Sequence, residues 1–209
     1  MPHSELVIDG ERWPSVTEVL QILSKPQLNR WREYKGTKEA DRISKESAYR
    51  GRRLHELVEM SLKGESVTFC GEEKELQPIF MAWFKWYTES GYRCVSQEIK
   101  VQSTKYKYHG TFDALLELPN NQLCLVDWKF SNNDDHFRWL QLAGYAQAYK
   151  EHINNNLQLK IQNGMIVRID KKGKVHIKEC HTLWQYIPLF LACRKLWDFV
   201  NSLGKFKKK

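Results

Sequence analysis

The sequence has no C-x-x-C pair. Its five cysteines, at 70, 94, 124, 180 and 193, are odd in number and widely scattered. That pattern gives no support to zinc or iron–sulfur ligation and reads as reduced, mostly buried thiols. No run approaches 18 uninterrupted apolar residues, so no membrane-spanning segment is expected. The N-terminus "MPHSELVIDGERW" has no apolar signal core and carries too much acid for a transit peptide, so an intracellular, non-secreted protein is expected. The phosphate-binding pattern G-x-x-x-x-G-K-[ST] is also missing, which excludes a helicase motor built on it. Acid is in short supply, with 25 Asp plus Glu against 33 Lys plus Arg, a net charge of +8. An excess of that size suits a nucleic acid or an anionic membrane surface.

What is present fits one domain over residues 1–209, with a helical part at 1–50, a core at 51–150, and a hairpin and closing helix at 151–209. Ser15-Val16-Thr17-Glu18 is an S-x-x-E capping box, which starts a helix near Val16. "LNRWREYKG" continues helically towards Gly36. Residues 37–50 are charged and poorly periodic, and a helix gains strength from about Ser47. Leu54, Leu57, Val58 and Leu62 recur at helical spacing before a stop at Gly64. "LQPIFMAWFKWYTESG" tolerates Pro78 in its first turn and closes at Gly91. Three strands follow, "RCVSQEIKV", "YKYHGTFDALLEL" and "QLCLVDWKF". A helix over "FRWLQLAGYAQAYKEH" comes next, behind an acidic start at Asp134 and Asp135. A hairpin turns about Lys172-Gly173, and the last helix is expected to be disturbed at Pro188. This order argues for α/β or α+β with one central mixed sheet. The class expected is α/β, a central mixed sheet flanked by helices with an N-terminal helical region.

Within the second and third strands lie Asp113, Asp127 and Lys129. "LPNNQ" between them is a turn. If its loop is residues 119–121, paired numbers sum to 240 and Asp113 faces Asp127, with Cβ atoms roughly 4.5–5.5 Å apart. Lys129 shares their side of the sheet. The other side would be Phe112, Ala114 and Leu116 against Cys124, Val126 and Trp128, wholly apolar, which fixes register by burial. Opposed acids repel unless a cation lies between them, so removing one should hold or raise metal-free stability. Two such carboxylates suit Mg²⁺, and a lysine beside the ion can orient a water or steady phosphorane charge. The sum is a hydrolytic site for phosphodiesters.

Asp113, then Asp127-Trp128-Lys129, resembles the signature of the PD-(D/E)XK nuclease superfamily, with Phe112 where the nominal proline would stand. "GRRLHELVE", with Gly51, His55 and Glu59, is similar to the G-x-x-x-H-x-x-x-E helix of its RecB-like branch. "QLAGYAQAY", with Gln141 and Tyr145, is similar to that branch's Q-x-x-x-Y motif. "WPSVTEVL" and "LNRWREYKG" resemble the opening of the mitochondrial genome maintenance exonuclease group and its phage and bacterial relatives. The resemblance covers residues 13 to about 150.

It implies a restriction-endonuclease-like core and one or two Mg²⁺ or Mn²⁺ ions. Some RecB-like relatives add cysteines for an iron–sulfur cluster, but the scattered cysteines here do not match that pattern, so none is expected. His55, Asp113, Asp127 and the backbone carbonyl of Trp128 would be ligands, and Lys129 would act on the water. Gln141 and Tyr145, four apart on one helix face, would support Lys129 and the DNA backbone. Glu59 could hold the His55 ring from behind, and Glu98 could aid the site. Gly110, just before Asp113, would allow close backbone approach. Arg50, Arg52 and Arg53 in "YRGRR", Lys105 and Lys107 in "STKYKYH", and Arg138 are candidates for phosphate contact.

The implied activity is a metal-dependent DNA nuclease. It would be an exonuclease on single-stranded ends in replication, repair or recombination, in a bacterial or phage cytoplasm. The rivals are a duplex- or structure-selective endonuclease with the same site, and a DNA-binding accessory protein without activity. Oligomeric state is left open.

Overall fold

Asp9, at φ 50°, and Gly10, at φ 75°, reverse the chain between β1 (Leu6–Ile8) and β2 (Glu11–Trp13). An Asp-Gly pair tolerates positive φ at both turn positions, which is what a two-residue hairpin needs. The computed structural model describes residues 6–23, 26–131, 137–152, 161 and 163–206. The expected acidic helix start at Asp134 and Asp135 lies outside these residues.

Ser15 caps α1 (Val16–Val19), its hydroxyl accepting the Glu18 N–H at 3.2 Å. The helix then tightens into a 3₁₀ turn over Leu20–Ile22. α2 (Pro26–Lys35) ends at Gly36, whose φ of 74° breaks the helical path before α3 (Thr37–Leu62). α3 begins about ten residues earlier than its apolar periodicity indicates. Its first half is held by charge, through Glu39–Arg42, Arg42–Glu46 and Glu46–Arg50 pairs at (i, i+3) and (i, i+4). α4 (Gln77–Glu89) takes Pro78 in its first turn, where no N–H is missed.

Five strands form the main sheet in the order β3 (Arg93–Ser103), β4 (Tyr108–Glu117), β5 (Leu123–Phe130), β6 (Asn163–Ile169) and β7 (Val175–Cys180). All neighbours are antiparallel except β5 and β6, which run parallel and are joined through α5 (Arg138–His152). α6 (Ile187–Phe206) closes the chain. Pro188 is its second residue, after a 3₁₀ turn over Leu183–Tyr186, so the proline starts the helix and does not disturb it.

The sheet is covered on both faces. Leu54, Leu57 and Val58 of α3 and Phe80 and Trp83 of α4 pack on Ala114, Leu116, Val126 and Trp128. Val16 of α1, Leu142 and Tyr145 of α5 and Phe190 of α6 pack on Phe112, Leu115 and Leu125 from the other side. This is the expected α/β class, a mixed sheet between helices with an N-terminal helical region, in keeping with a restriction-endonuclease-like fold. The thiols depart from expectation: only Cys124 and Cys193 are buried, and Cys70 is exposed.

The inferred β4–β5 register holds. Leu118 N–H donates to the Gln122 carbonyl at 2.9 Å across a loop of residues 119–121, and the pairs Leu116↔Cys124 and Ala114↔Val126 sum to 240.

Candidate metal centre

The ladders break at Asp113. Pairing of β4 with β5 stops at Ala114↔Val126. Pairing of β3 with β4 passes from Gln97↔Ala114 to Ile99↔Phe112, around Glu98, which sits at φ 48°. A non-glycine residue in the left-handed region is costly and marks sites where the surrounding fold holds strain. Asp113 Oδ2 fills the gap by accepting the Trp128 N–H at 2.7 Å.

The break also takes one residue out of the expected apolar side, on which Ala114, Leu116, Cys124, Val126 and Trp128 do lie together. Phe112 packs on Tyr145 and Tyr149 of α5, with ring centroids 6.1 and 5.6 Å away. Ala114 and Leu116 instead join the α3 and α4 cluster. Strand alternation keeps residues two apart on one side only where the strand stays regular.

Into this break α3 presents His55, whose Nδ1 lies 3.4 Å from Asp113 Oδ1. The ring packs T-shaped against Phe130, with centroids 5.3 Å apart and planes at 87°. Glu98 completes a cluster in which one potential ligand atom from each of His55, Glu98 and Asp113 lies within 4.8 Å of the others. The sequence reading assigned Glu98 only an auxiliary place; the turn at φ 48° brings its carboxylate to the cluster itself.

Asp127 is drawn the other way. Its Oδ1 is 2.6 Å from Lys129 Nζ, and its Oδ2 is 4.0 Å from Arg138 Nη1. Oδ2 is buried without a hydrogen-bond partner, an orphaned acceptor of the kind that calls for a cation or an ordered water. Trp128 enters the site through the N–H held by Asp113.

Charge and burial compete here. Burial works against a charged His55, but the adjacent Asp113 carboxylate outweighs it and lifts the imidazole pKa. Burial likewise opposes ionised Asp113, but His55, Lys129 and the Trp128 N–H hold its carboxyl below the ordinary value. Asp127 is pushed up by burial and by the charge of Asp113, against the pull of Lys129 and Arg138. Glu98 is pushed up by burial and by Asp113. A buried carboxyl, Asp127, and an exposed one, Glu98, both with raised pKa, stand with Asp113 beside an imidazole, a donor set that a small divalent cation suits.

Lys129, Arg138 and Gln141 open onto a cleft of about 380 Å³ whose other walls are Thr17, Leu20, Gln21 and Phe137. α1 reaches this place because the Pro14 carbonyl accepts the His109 N–H at 3.1 Å, pinning the N-terminal segment along β4. The sequence holds no local signal for that long-range contact, so Thr17 and Gln21 were not anticipated. Gln141 Nε2 donates to the Tyr145 hydroxyl at 3.0 Å, and burial raises the pKa of that phenol. Gly110 has Tyr145 against it so closely that an added Cβ would lie 2.4 Å from Cε1.

The remaining candidates lie farther out. Glu59 binds Lys63 at 2.6 Å, while the ring partner shown for His55 is Asp113. Arg50 pairs with Glu46 and Glu75, Arg53 with Glu56 and Glu73, and Lys107 with Glu11. Lys105 stands over the Tyr106 ring and Arg52 is exposed.

No protein-family model matches the chain, and no curated protein matches it. Solved structures do. The crystal structure of SSO0001 is 16% identical with a TM-score of 0.46, over 90% of this chain and 75% of that one. An alkaline exonuclease from Laribacter hongkongensis, LHK-Exo, is 12% identical with a TM-score of 0.35, over 94% of this chain and 95% of that one. Both likenesses are too distant to bear on what this chain binds or does. Among the described residues no helix is long and apolar enough to cross a membrane.

Proposed function

We propose that the chain is a divalent-metal-dependent nuclease that hydrolyses DNA phosphodiesters. Its preferred substrates would be single-stranded ends, which it degrades as an exonuclease in replication, repair or recombination. One observation carries this reading: His55, Glu98 and Asp113 gather at a break in the sheet beside the Asp127–Lys129 ion pair. The net charge of +8 suits a polyanionic partner. The choice of exonuclease rests on the motif resemblance.

His55, Glu98, Asp113, Asp127 and the Trp128 carbonyl are the groups that would hold Mg²⁺ or Mn²⁺. A bound ion of this kind polarises phosphoryl oxygens and lowers the pKa of a water. Lys129, held by Asp127, orients the attacking water and steadies charge growing on the phosphoryl oxygens. Arg138 anchors a neighbouring phosphate, and the Gln141–Tyr145 pair holds the strand in the cleft.

End-labelled linear and circular single strands, incubated with Mn²⁺ and then with EDTA, test the reading. The linear strand should shorten from its end while the circle survives, and EDTA should stop the reaction. Equal cutting of the circle would make the chain an endonuclease. Binding without cleavage in every metal would make it an accessory protein.

A further inference from the structure

α6 is apolar on two opposite sides, and the fold covers only one of them. Phe190, Cys193 and Arg194 are buried and Trp197 is partly buried against the α5 layer. At about 100° per residue, Leu189, Ala192, Leu196, Phe199 and Val200 fall within a stripe on the far side. There Leu189 is 55% exposed, Leu196 50%, Phe199 60% and Val200 49%. The spacing 189, 192, 196, 199 is the a/d pattern of a coiled-coil seam, and Leu203 and Phe206 continue it in the sequence. By contrast α3 turns Glu39, Arg42 and Glu46 outward on its first half.

We infer that this seam is the interface of a two-fold dimer in which α6 packs antiparallel on α6 of a second copy of the chain. The stripe is narrow at Ala192 and bulky at Phe199. An antiparallel pairing centred near Leu196 sets the narrow end of one helix against the bulky end of its mate. A surface that fits its own two-fold copy closes on itself, as isologous interfaces do. The four exposed side chains present roughly 400 Å² per copy, in the range of the largest apolar patch on a monomer, which is often functional. With a flanking polar rim, that approaches the roughly 600–800 Å² per partner of a specific interface. No residue of the seam belongs to the candidate metal centre or lines its cleft, so this inference stands apart from the nuclease reading.

Sedimentation velocity of the full chain between about 1 and about 100 µM tests it. A reversible monomer–dimer equilibrium is expected. Leu196→Lys and Phe199→Lys should each weaken it about 100-fold or more. Because both side chains are exposed in the monomer, melting in dilute solution should be unchanged, which separates a lost interface from a lost fold. In a Cys70→Ser background, Leu196→Cys near the two-fold axis should cross-link to its own copy on oxidation. A chain that stays monomeric throughout, or a dimer indifferent to both lysine substitutions, overturns the inference. So does a monomer that floats with anionic phospholipid vesicles, which would assign the seam to a membrane surface.

Discussion

Replacing Asp113 with alanine separates two accounts of the hairpin. If the acids were simply opposed, removing one would relieve repulsion and metal-free stability would hold or rise. The structure predicts a loss. Asp113 Oδ2 is the acceptor for the Trp128 N–H at 2.7 Å, and Trp128 is buried. Alanine leaves that donor without a partner, at a cost of about 1–3 kcal/mol. For a chain of this size each kcal/mol moves the melting temperature by about 2–4 °C, so a fall of roughly 2–12 °C is expected. Asp113→Asn keeps an oxygen for the N–H and should recover most of that loss, while cleavage stays abolished in both variants. Thermal unfolding followed by circular dichroism in chelator, beside a cleavage assay, reads both quantities. A melting temperature for Asp113→Ala at or above wild type would refute the reasoning.

Gly110→Ala should destabilise by about 1–3 kcal/mol through overpacking. The new Cβ would meet Tyr145, whose ring is buried against Phe112, and Val16 at 3.4 Å also bars its retreat; an unchanged urea midpoint would count against this. Gln141→Ala strips the hydrogen bond from the buried Tyr145 hydroxyl. Turnover should fall about 10- to 1000-fold, roughly 1.4–4 kcal/mol of transition-state stabilisation, and an unaltered single-turnover rate would remove Gln141 from the site. Glu98→Gly should weaken Mn²⁺ binding at least about tenfold by calorimetry. It should leave stability within about 1 kcal/mol, because relief of the φ 48° strain offsets the added freedom of the unfolded chain; undiminished binding would exclude Glu98 as a ligand.

Much of this architecture was legible because each element announces itself locally. The Ser15 capping box, the Gly64 and Gly91 stops and the "LPNNQ" loop each rest on neighbouring residues, and the β4–β5 register followed from the loop length together with the burial of one side. The misses have a common cause. The early start of α3 depends on ion pairs between charged side chains, which apolar periodicity does not register. The β1–β2 hairpin carries an Asp9-Gly10 turn signal, but strands of three residues are too short to show an alternating pattern. At the site, His55 and Asp113 were named from their motifs and lie together. The place of Glu98 depends on its own left-handed backbone inside β3, and nothing in "SQEIKV" predicts that. The same distortion turns Phe112 towards α5, against the alternation that a regular strand imposes. Asp127 was expected directly opposite Asp113, but the ladder ends at Ala114↔Val126, and Asp127 pairs with Lys129 while Asp113 turns to His55.

Dependence of cleavage on a divalent cation bears most directly on the central claim that His55, Glu98 and Asp113 form a metal centre for phosphodiester hydrolysis. The measurement is the rate of shortening of an end-labelled single strand as Mn²⁺ is titrated into chelator-stripped protein, for wild type and His55→Ala. The account predicts no cleavage in chelator and saturable recovery, with Mn²⁺ at least as effective as Mg²⁺ because an imidazole ligand suits the softer ion. The His55→Ala midpoint should shift to higher Mn²⁺ by about tenfold or more. Undiminished cleavage in excess chelator, or a His55→Ala midpoint equal to wild type, would contradict it.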